Sequence, residues 1–223
     1  MKDTVIFDLD GTLLDTLEDL AAAVNHEMER YGRPLRTVDQ VRNSIGNGIG
    51  NLIGRSLEKG KEDPDFKAIL ADFAEYYTAN CQEKTKPYPG IAAMLEKLKE
   101  EGIKTGVVSN KNDASVQKLV QYYFGDLIMT STGECRGVRR KPAPDTIIAA
   151  LEKLGSRKED AYYVGDSEVD IQAADNAELD LIMVSWGFRG RERMTEYCRE
   201  NGREVPVIID DPDEITGIVK NHL

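Results

Sequence analysis

Val5-Ile6-Phe7-Asp8-Leu9-Asp10-Gly11-Thr12 is an apolar, β-rich run that ends abruptly in two carboxylates one residue apart. Its first three residues suit a buried strand, and alternation turns Asp8 and Asp10 the same way if the strand continues. Gly11 lets the backbone turn just beyond them. In an open α/β sheet, a buried strand that delivers paired carboxylates to its C-terminal end marks an active-site edge. Taken alone, the Asp-x-Asp-Gly fragment is equally an ordinary strand exit made of turn formers. The rest of the chain has to decide.

Beyond Thr12 the pattern becomes helical. Leu17, Leu20, Ala21, Val24 and Met28 recur at helical spacing over residues 16–31 and stop at Gly32. Thr37 with Gln40 is a capping-box pair that opens a short second helix. Ser44-Ile45-Gly46-Asn47-Gly48 reads as a loop before a helix over 49–57. Asp63-Pro64 predicts an N-cap with proline at the first helical position, starting a helix that carries Phe66, Ile69, Leu70, Phe73 and Tyr77. This stretch is too long for a βαβ crossover, so a separate helical subdomain over residues 15–85 is expected after the first strand.

From Lys86-Pro87-Tyr88-Pro89-Gly90 onward, strands and helices alternate. Helices are predicted over 91–101, 112–123 and 144–154 and after Asp166, with strands over 103–108, 127–130, 161–164, 181–184 and 207–209. Such alternation predicts an α/β fold with a doubly wound parallel sheet of about six strands, made from residues 1–14 and 86–223. The C-terminal strand ends of a parallel sheet share one edge. Asp8, Asp10, Ser109, Asn110, Asp166 and Asp170 follow strands, and Lys141 precedes a helix, so all can converge on one crevice. Each also has a plain reading as a turn, a surface cation or a cap.

The 223 residues are enough for one sizeable core or a core with a smaller domain. No apolar run is long enough to span a bilayer, and the N-terminus opens directly into the strand without a signal-peptide pattern, so a cytoplasmic location and no membrane association are expected. Cys81, Cys135 and Cys198 are odd in number and widely spaced, which predicts free thiols. Twenty-nine Lys and Arg against forty Asp and Glu give a net charge of −11, which disfavours general binding to nucleic acid or anionic lipid. An anionic substrate then needs local cations or a metal. A Ser-His-Asp triad would have to use His26 or His222, and neither stands near a nucleophile-like motif.

Four motifs together resemble the haloacid dehalogenase-like phosphohydrolases. They are Asp8-Leu9-Asp10-Gly11-Thr12-Leu13-Leu14-Asp15, Val108-Ser109-Asn110, Lys141-Pro142-Ala143-Pro144-Asp145 and Val164-Gly165-Asp166-Ser167-Glu168-Val169-Asp170, in family order. The resemblance implies a Rossmann-like core, with the helical insert as its cap. It further implies Asp8 as the nucleophile that takes up the phosphoryl group and Asp10 as general acid and base. Ser109, Asn110 and Lys141 would be phosphate ligands, Asp8, Asp10 and Asp166 would hold Mg²⁺, and Asp170 would support the metal site. Lys86-Pro87-Tyr88-Pro89-Gly90, Gly46-Asn47-Gly48 and Ser185-Trp186-Gly187-Phe188-Arg189 resemble phosphoglycolate phosphatases in particular. Arg136, Arg139 and Arg140 depart from that pattern.

The chemistry asks for the same residues. A carboxylate attacking an anionic phosphate monoester needs fixed positive charge nearby, which Mg²⁺ on oxygen ligands and Lys141 would supply. The expected partner is a small phosphorylated metabolite, with 2-phosphoglycolate as the best candidate. Within the enzyme class the alternatives are a sugar-phosphate mutase or a phosphatase for pyrophosphate, nucleotides or sugar phosphates. Outside it, a receiver-like phosphoaspartate domain or a non-catalytic phosphate-binding protein uses similar groups. The Gly46-Asn47-Gly48 loop is either a carboxylate receptor at a helix start or simply a tight turn.

Overall fold

The computed structural model describes residues 2–220. The chain divides into two compact units, one comprising the residues up to Leu14 and from Pro87 onward, the other Asp15–Lys86. Strand β1 (Thr4–Phe7) begins the first unit and is wholly buried. Two-residue strands β2 (Leu14–Asp15) and β3 (Lys86–Pro87) pair where the chain passes from one unit to the other and back.

Between them lie α1 (Leu17–Arg30), α2 (Val38–Ser44), α3 (Ile49–Ser56) and α4 (Phe66–Asn80). The Thr37–Gln40 capping box forms at α2 in both directions. Helix α4 starts later than the sequence predicts. Asp63 Oδ1 accepts from the Asp65 amide and from Arg33, so Asp63-Pro64-Asp65 closes a turn before the helix and does not form its first residues. Within the unit, Asp19 is buried in α1, where its carboxylate accepts the amides of Lys84 and Thr85. His26 also lies in α1, stacked on Tyr76 with ring centroids 3.7 Å apart, while His222 lies outside the described residues.

The other unit continues with α5 (Ile91–Glu100), β4 (Lys104–Asn112), α6 (Asp113–Tyr123), β5 (Thr130–Glu134), α7 (Asp145–Leu154), β6 (Ala161–Gly165), α8 (Glu168–Ala177), β7 (Asp180–Val184), α9 (Gly190–Glu200), β8 (Val207–Ile209) and α10 (Asp213–Lys220). The six-stranded sheet has the order β5-β4-β1-β6-β7-β8, with parallel pairing. It is a doubly wound, Rossmann-like sheet whose order reverses at β1, between β4 and β6. One face packs Ile6, Val108 and Tyr163 against Ile147, Ala150 and Leu151 of α7 and Ala173 and Ala174 of α8. Val5 and Phe7 point the opposite way and are equally buried, so both faces of β1 are covered.

Strand β5 (Thr130–Glu134) starts three residues and ends four residues beyond the predicted 127–130. Gly125–Leu127 forms a 3₁₀ turn, and the ladder is made by the polar run from Thr130. An edge strand does not need a continuous apolar sequence, so the apolar pair Leu127-Ile128 lies before the strand and not within it. Strand β4 runs on through the Ser109-Asn110 motif, with an irregularity in its pairing to β5 between Val108 and Asn112. Helix α9 carries no strong apolar stripe, burying Met194 and Cys198 among charged residues. Among the described residues no helix is long and apolar enough to cross a membrane, and all three cysteines are free.

Candidate active site

The sheet register brings the motifs to one edge. Phe7 pairs with Val107 on one side and Val164 on the other, and the Asp8 amide donates to the Val164 carbonyl at 2.8 Å. Asp8 therefore stands at the switch point, level with the ends of both neighbouring strands. The loop before α7 supplies Lys141, which is 3% exposed. Its ammonium lies 2.7 Å from Asp8 Oδ1 and 2.8 Å from Asp170 Oδ1, and it donates to the Tyr163 hydroxyl at 2.8 Å. Tyr163 in turn donates to Asp170 Oδ1 at 2.9 Å.

Asp170 sits in the first turn of α8, and its other oxygen accepts from the Ser167 hydroxyl at 2.6 Å and from the Asp166 and Ser167 amides. Its carboxylate thus anchors Lys141 on one side and the helix start on the other. Asp166, 2% exposed, receives the Phe188 amide at 2.7 Å. Two glycines make room for it. A Cβ on Gly11 (φ +88°) would lie 2.4 Å from Asp166 Oδ2, and one on Gly187 would lie 2.3 Å from Asp166 Cβ. The 185–190 loop is held by Trp186, whose Nε1 donates to the Thr12 carbonyl at 3.0 Å.

Asp10 belongs to a neighbouring cluster. Its Oδ1 lies 2.8 Å from Lys111 Nζ, and Ser109 Oγ donates to Oδ2 at 3.4 Å. The Ser109 hydroxyl also accepts the Lys111 amide. The Asn110 side-chain amide donates to the Lys141 carbonyl at 2.8 Å, fixing the Lys141 loop in place of presenting that group to a phosphate. Arg139 and Arg140, on the exposed loop before Lys141, pair with Asp145 and Glu134. Gly46, Asn47 and Gly48 lie in the helical unit, all with positive φ, and Gly48 is the N-cap of α3 without a side-chain cap.

Burial pushes the Asp8 carboxyl up to about 7 against the pull of Lys141. Burial, then the charges of Asp170 and Asp8, hold Asp166 well above the usual carboxylate range. Burial opposes the charges of Asp170 and Lys141 too, but there it is outweighed. Lys141 and hydrogen bonds lower Asp170, and Asp170 with Asp8 raises Lys141. Crowded buried carboxylates with raised proton affinity are suited to a cation. Asp8, Asp166 and Asp170 each offer an oxygen within 4.8 Å of one another. Such an all-oxygen donor set fits Mg²⁺.

Lys111 and Tyr163 were missed by the sequence reading. Lys111 was legible in part, because strand alternation places residues 109 and 111 on one side. The Tyr163 hydroxyl had no such signal, since a tyrosine two residues before a strand end reads as core.

A family model of haloacid dehalogenase-like hydrolases matches residues 5–184. The chain belongs to that family. The phosphoglycolate phosphatase of Aquifex aeolicus is 33% identical over 98% of this chain and 97% of its own length. Phosphoglycolate phosphatase 1 of Pseudomonas aeruginosa is 32% identical over 93% of this chain and 75% of its own. The crystal structure of a candidate phosphoglycolate phosphatase from Lactobacillus delbrueckii subsp. bulgaricus superposes with a TM-score of 0.89 at 34% identity, covering 98% of this chain and 99% of that one. Within its family the protein is a phosphoric monoester hydrolase, and the receiver-like alternative falls away.

Proposed function

We propose that this is a cytoplasmic, Mg²⁺-dependent phosphatase that hydrolyses 2-phosphoglycolate through an aspartyl phosphate on Asp8. The observation that carries the chemistry is the Asp8 carboxylate held 2.7 Å from a buried lysine, with Asp166 beside it. The substrate rests on the phosphoglycolate phosphatases that the chain resembles along almost its whole length.

In the first step Asp8 forms a bond to phosphorus, the ester P–O bond breaks, and Asp10 gives its proton to the departing alkoxide. In the second, water attacks the phosphorus, Asp10 takes a proton from it, and the bond to Asp8 breaks to release phosphate. Lys141 holds Asp8 in position and sets positive charge against the phosphoryl oxygens, assisted by Ser109. Asp8, Asp166 and the Asp10 carbonyl would hold Mg²⁺, with Asp170 supporting the site from its anchored position. Bound there, the ion would offset the repulsion between a carboxylate nucleophile and an anionic ester.

A panel of phosphate monoesters assayed with Mg²⁺ and in excess chelator tests the reading. Phosphoglycolate is expected to give the highest kcat/KM, with loss of activity in chelator and recovery with Mg²⁺. Full activity in chelator removes the metal; no phosphoglycolate turnover removes the substrate but leaves the phosphatase.

A further inference from the structure

Two buried ammonium groups serve the site from different sides. Lys141 is engaged by Asp8, Asp170 and Tyr163, which ties it to the phosphoryl end. Lys111 is 6% exposed and faces Asp10 at 2.8 Å, on the side assigned to the leaving group. Its backbone is held by the hydrogen bond its N–H donates to Ser109 Oγ and by the close passage of Gly133 of β5, where a Cβ would come within 2.7 Å of the Lys111 carbonyl. Burying a lysine this far is costly unless its charge is paired, and Asp10 pairs with it here.

The geometry limits what that charge can reach. An ester oxygen that takes a proton from Asp10 lies within a hydrogen bond of the Asp10 carboxylate, and Lys111 lies within a hydrogen bond of the same group. In 2-phosphoglycolate one methylene separates the ester oxygen from the carboxylate, so rotation about the carbon–carbon bond brings a carboxylate oxygen to the ammonium. We propose that Lys111 is a specificity-determining residue that receives the carboxylate of phosphate esters in which one methylene separates it from the ester oxygen. The inference deepens the proposed function and rests on Asp10 as proton donor to the leaving group. It concerns the core unit alone and holds whether or not the loop at Gly46–Gly48 also contributes.

The test compares 2-phosphoglycolate with 2-hydroxyethyl phosphate, which replaces the carboxylate by an uncharged alcohol. In Lys111→Met the preference for phosphoglycolate, as a ratio of kcat/KM, is expected to fall by about 10- to 100-fold, mainly through KM. Lys111→Arg should recover much of it. Equal losses on both esters would overturn the proposal and leave Lys111 as a partner of Asp10 only. Calorimetry on Asp8→Asn with Mg²⁺ supplies an arm that needs no turnover. That protein should bind phosphoglycolate more tightly than the hydroxyethyl ester and lose the preference when Lys111→Met or Lys111→Gln is added. Persistence of the preference also overturns the proposal. Binding with this preference but no hydrolysis by the unmodified enzyme would instead defeat the phosphatase reading.

Discussion

The Asp8–Lys141 and Asp10–Lys111 pairs have nearly equal lengths, 2.7 and 2.8 Å, and both lysines are buried. Their surroundings differ. Lys141 is also held by Asp170 and Tyr163, and Asp170 is itself tied to the start of α8. Asp10 takes the Ser109 hydroxyl on its other oxygen at 3.4 Å, and it is more open than Asp8. A nucleophile must not move, whereas a group that gives and takes a proton must exchange partners during the cycle. The deeper burial of Asp8 suits its proposed role as nucleophile, and the more open position of Asp10 its proposed role in proton transfer.

The largest break in the comparison is expected at the two aspartates. Asp8→Asn should abolish turnover and labelling of the enzyme by substrate phosphate. Asp10→Asn should keep substrate binding and slow turnover by roughly 10²- to 10⁴-fold. Rapid-quench detection of the phosphoenzyme separates them, and near-normal turnover by Asp8→Asn would reverse the assignment.

Removing the cation sharpens the same contrast through stability. Lys141→Met leaves Asp8 and Asp170 buried without their ammonium, at a cost of about 3–5 kcal/mol by denaturant titration in chelator. Tyr163→Phe removes one arm of the anchor and should cost about 1–2 kcal/mol. Its loss of kcat should exceed its change in KM, since the hydroxyl touches Lys141 and not the ester. A Tyr163→Phe enzyme indistinguishable from its parent would show that the two carboxylates, Asp8 and Asp170, set the lysine without the hydroxyl.

How far the sequence disclosed this arrangement depends on the kind of residue. Asp8, Asp10, Ser109 and Asp166 were legible because strand ends in a parallel sheet meet at one edge, where the register of β1 with β4 and β6 brings those ends together, and Lys141 and Asp170 join them through ion pairs. The alternation after Lys86 disclosed the sheet for the same reason. The Phe188 amide on Asp166 and the close passage of Gly187 were not legible, because backbone groups carry no side-chain signature. Strand β5 and helix α9 were blurred because an edge strand and a highly charged helix need little apolar patterning.

The buried acids also make the effect of metal depend on pH. In chelator the folded protein retains protons on Asp8 up to about pH 7, and on Asp166 likewise above the usual range. The unfolded chain gives those protons up near pH 4. It therefore binds fewer protons than the folded protein across that window, and these two groups make stability fall as pH rises through it. Asp170 works oppositely, contributing stability above the ordinary carboxylate range that is lost in stronger acid. Mg²⁺ must displace the protons of Asp8 and Asp166 to bind. The rise in Tm caused by a fixed Mg²⁺ concentration should accordingly be larger near pH 7.5 than near pH 5.5. An equal or smaller rise at the higher pH would contradict the burial argument.

The smallest effect is expected in the helical unit, at Gly48. Its φ of +82° disfavours any side chain, and as the N-cap of α3 it supplies no side-chain acceptor to the start of that helix. If the first amides of α3 serve the carboxylate of phosphoglycolate, Gly48→Val should raise KM for that ester by roughly 3- to 10-fold. An uncharged aryl phosphate should be affected much less. The substitution strains the backbone whatever its functional effect, so Tm has to be followed alongside. Equal losses on both esters, together with a lower Tm, would make these residues a tight turn and nothing more.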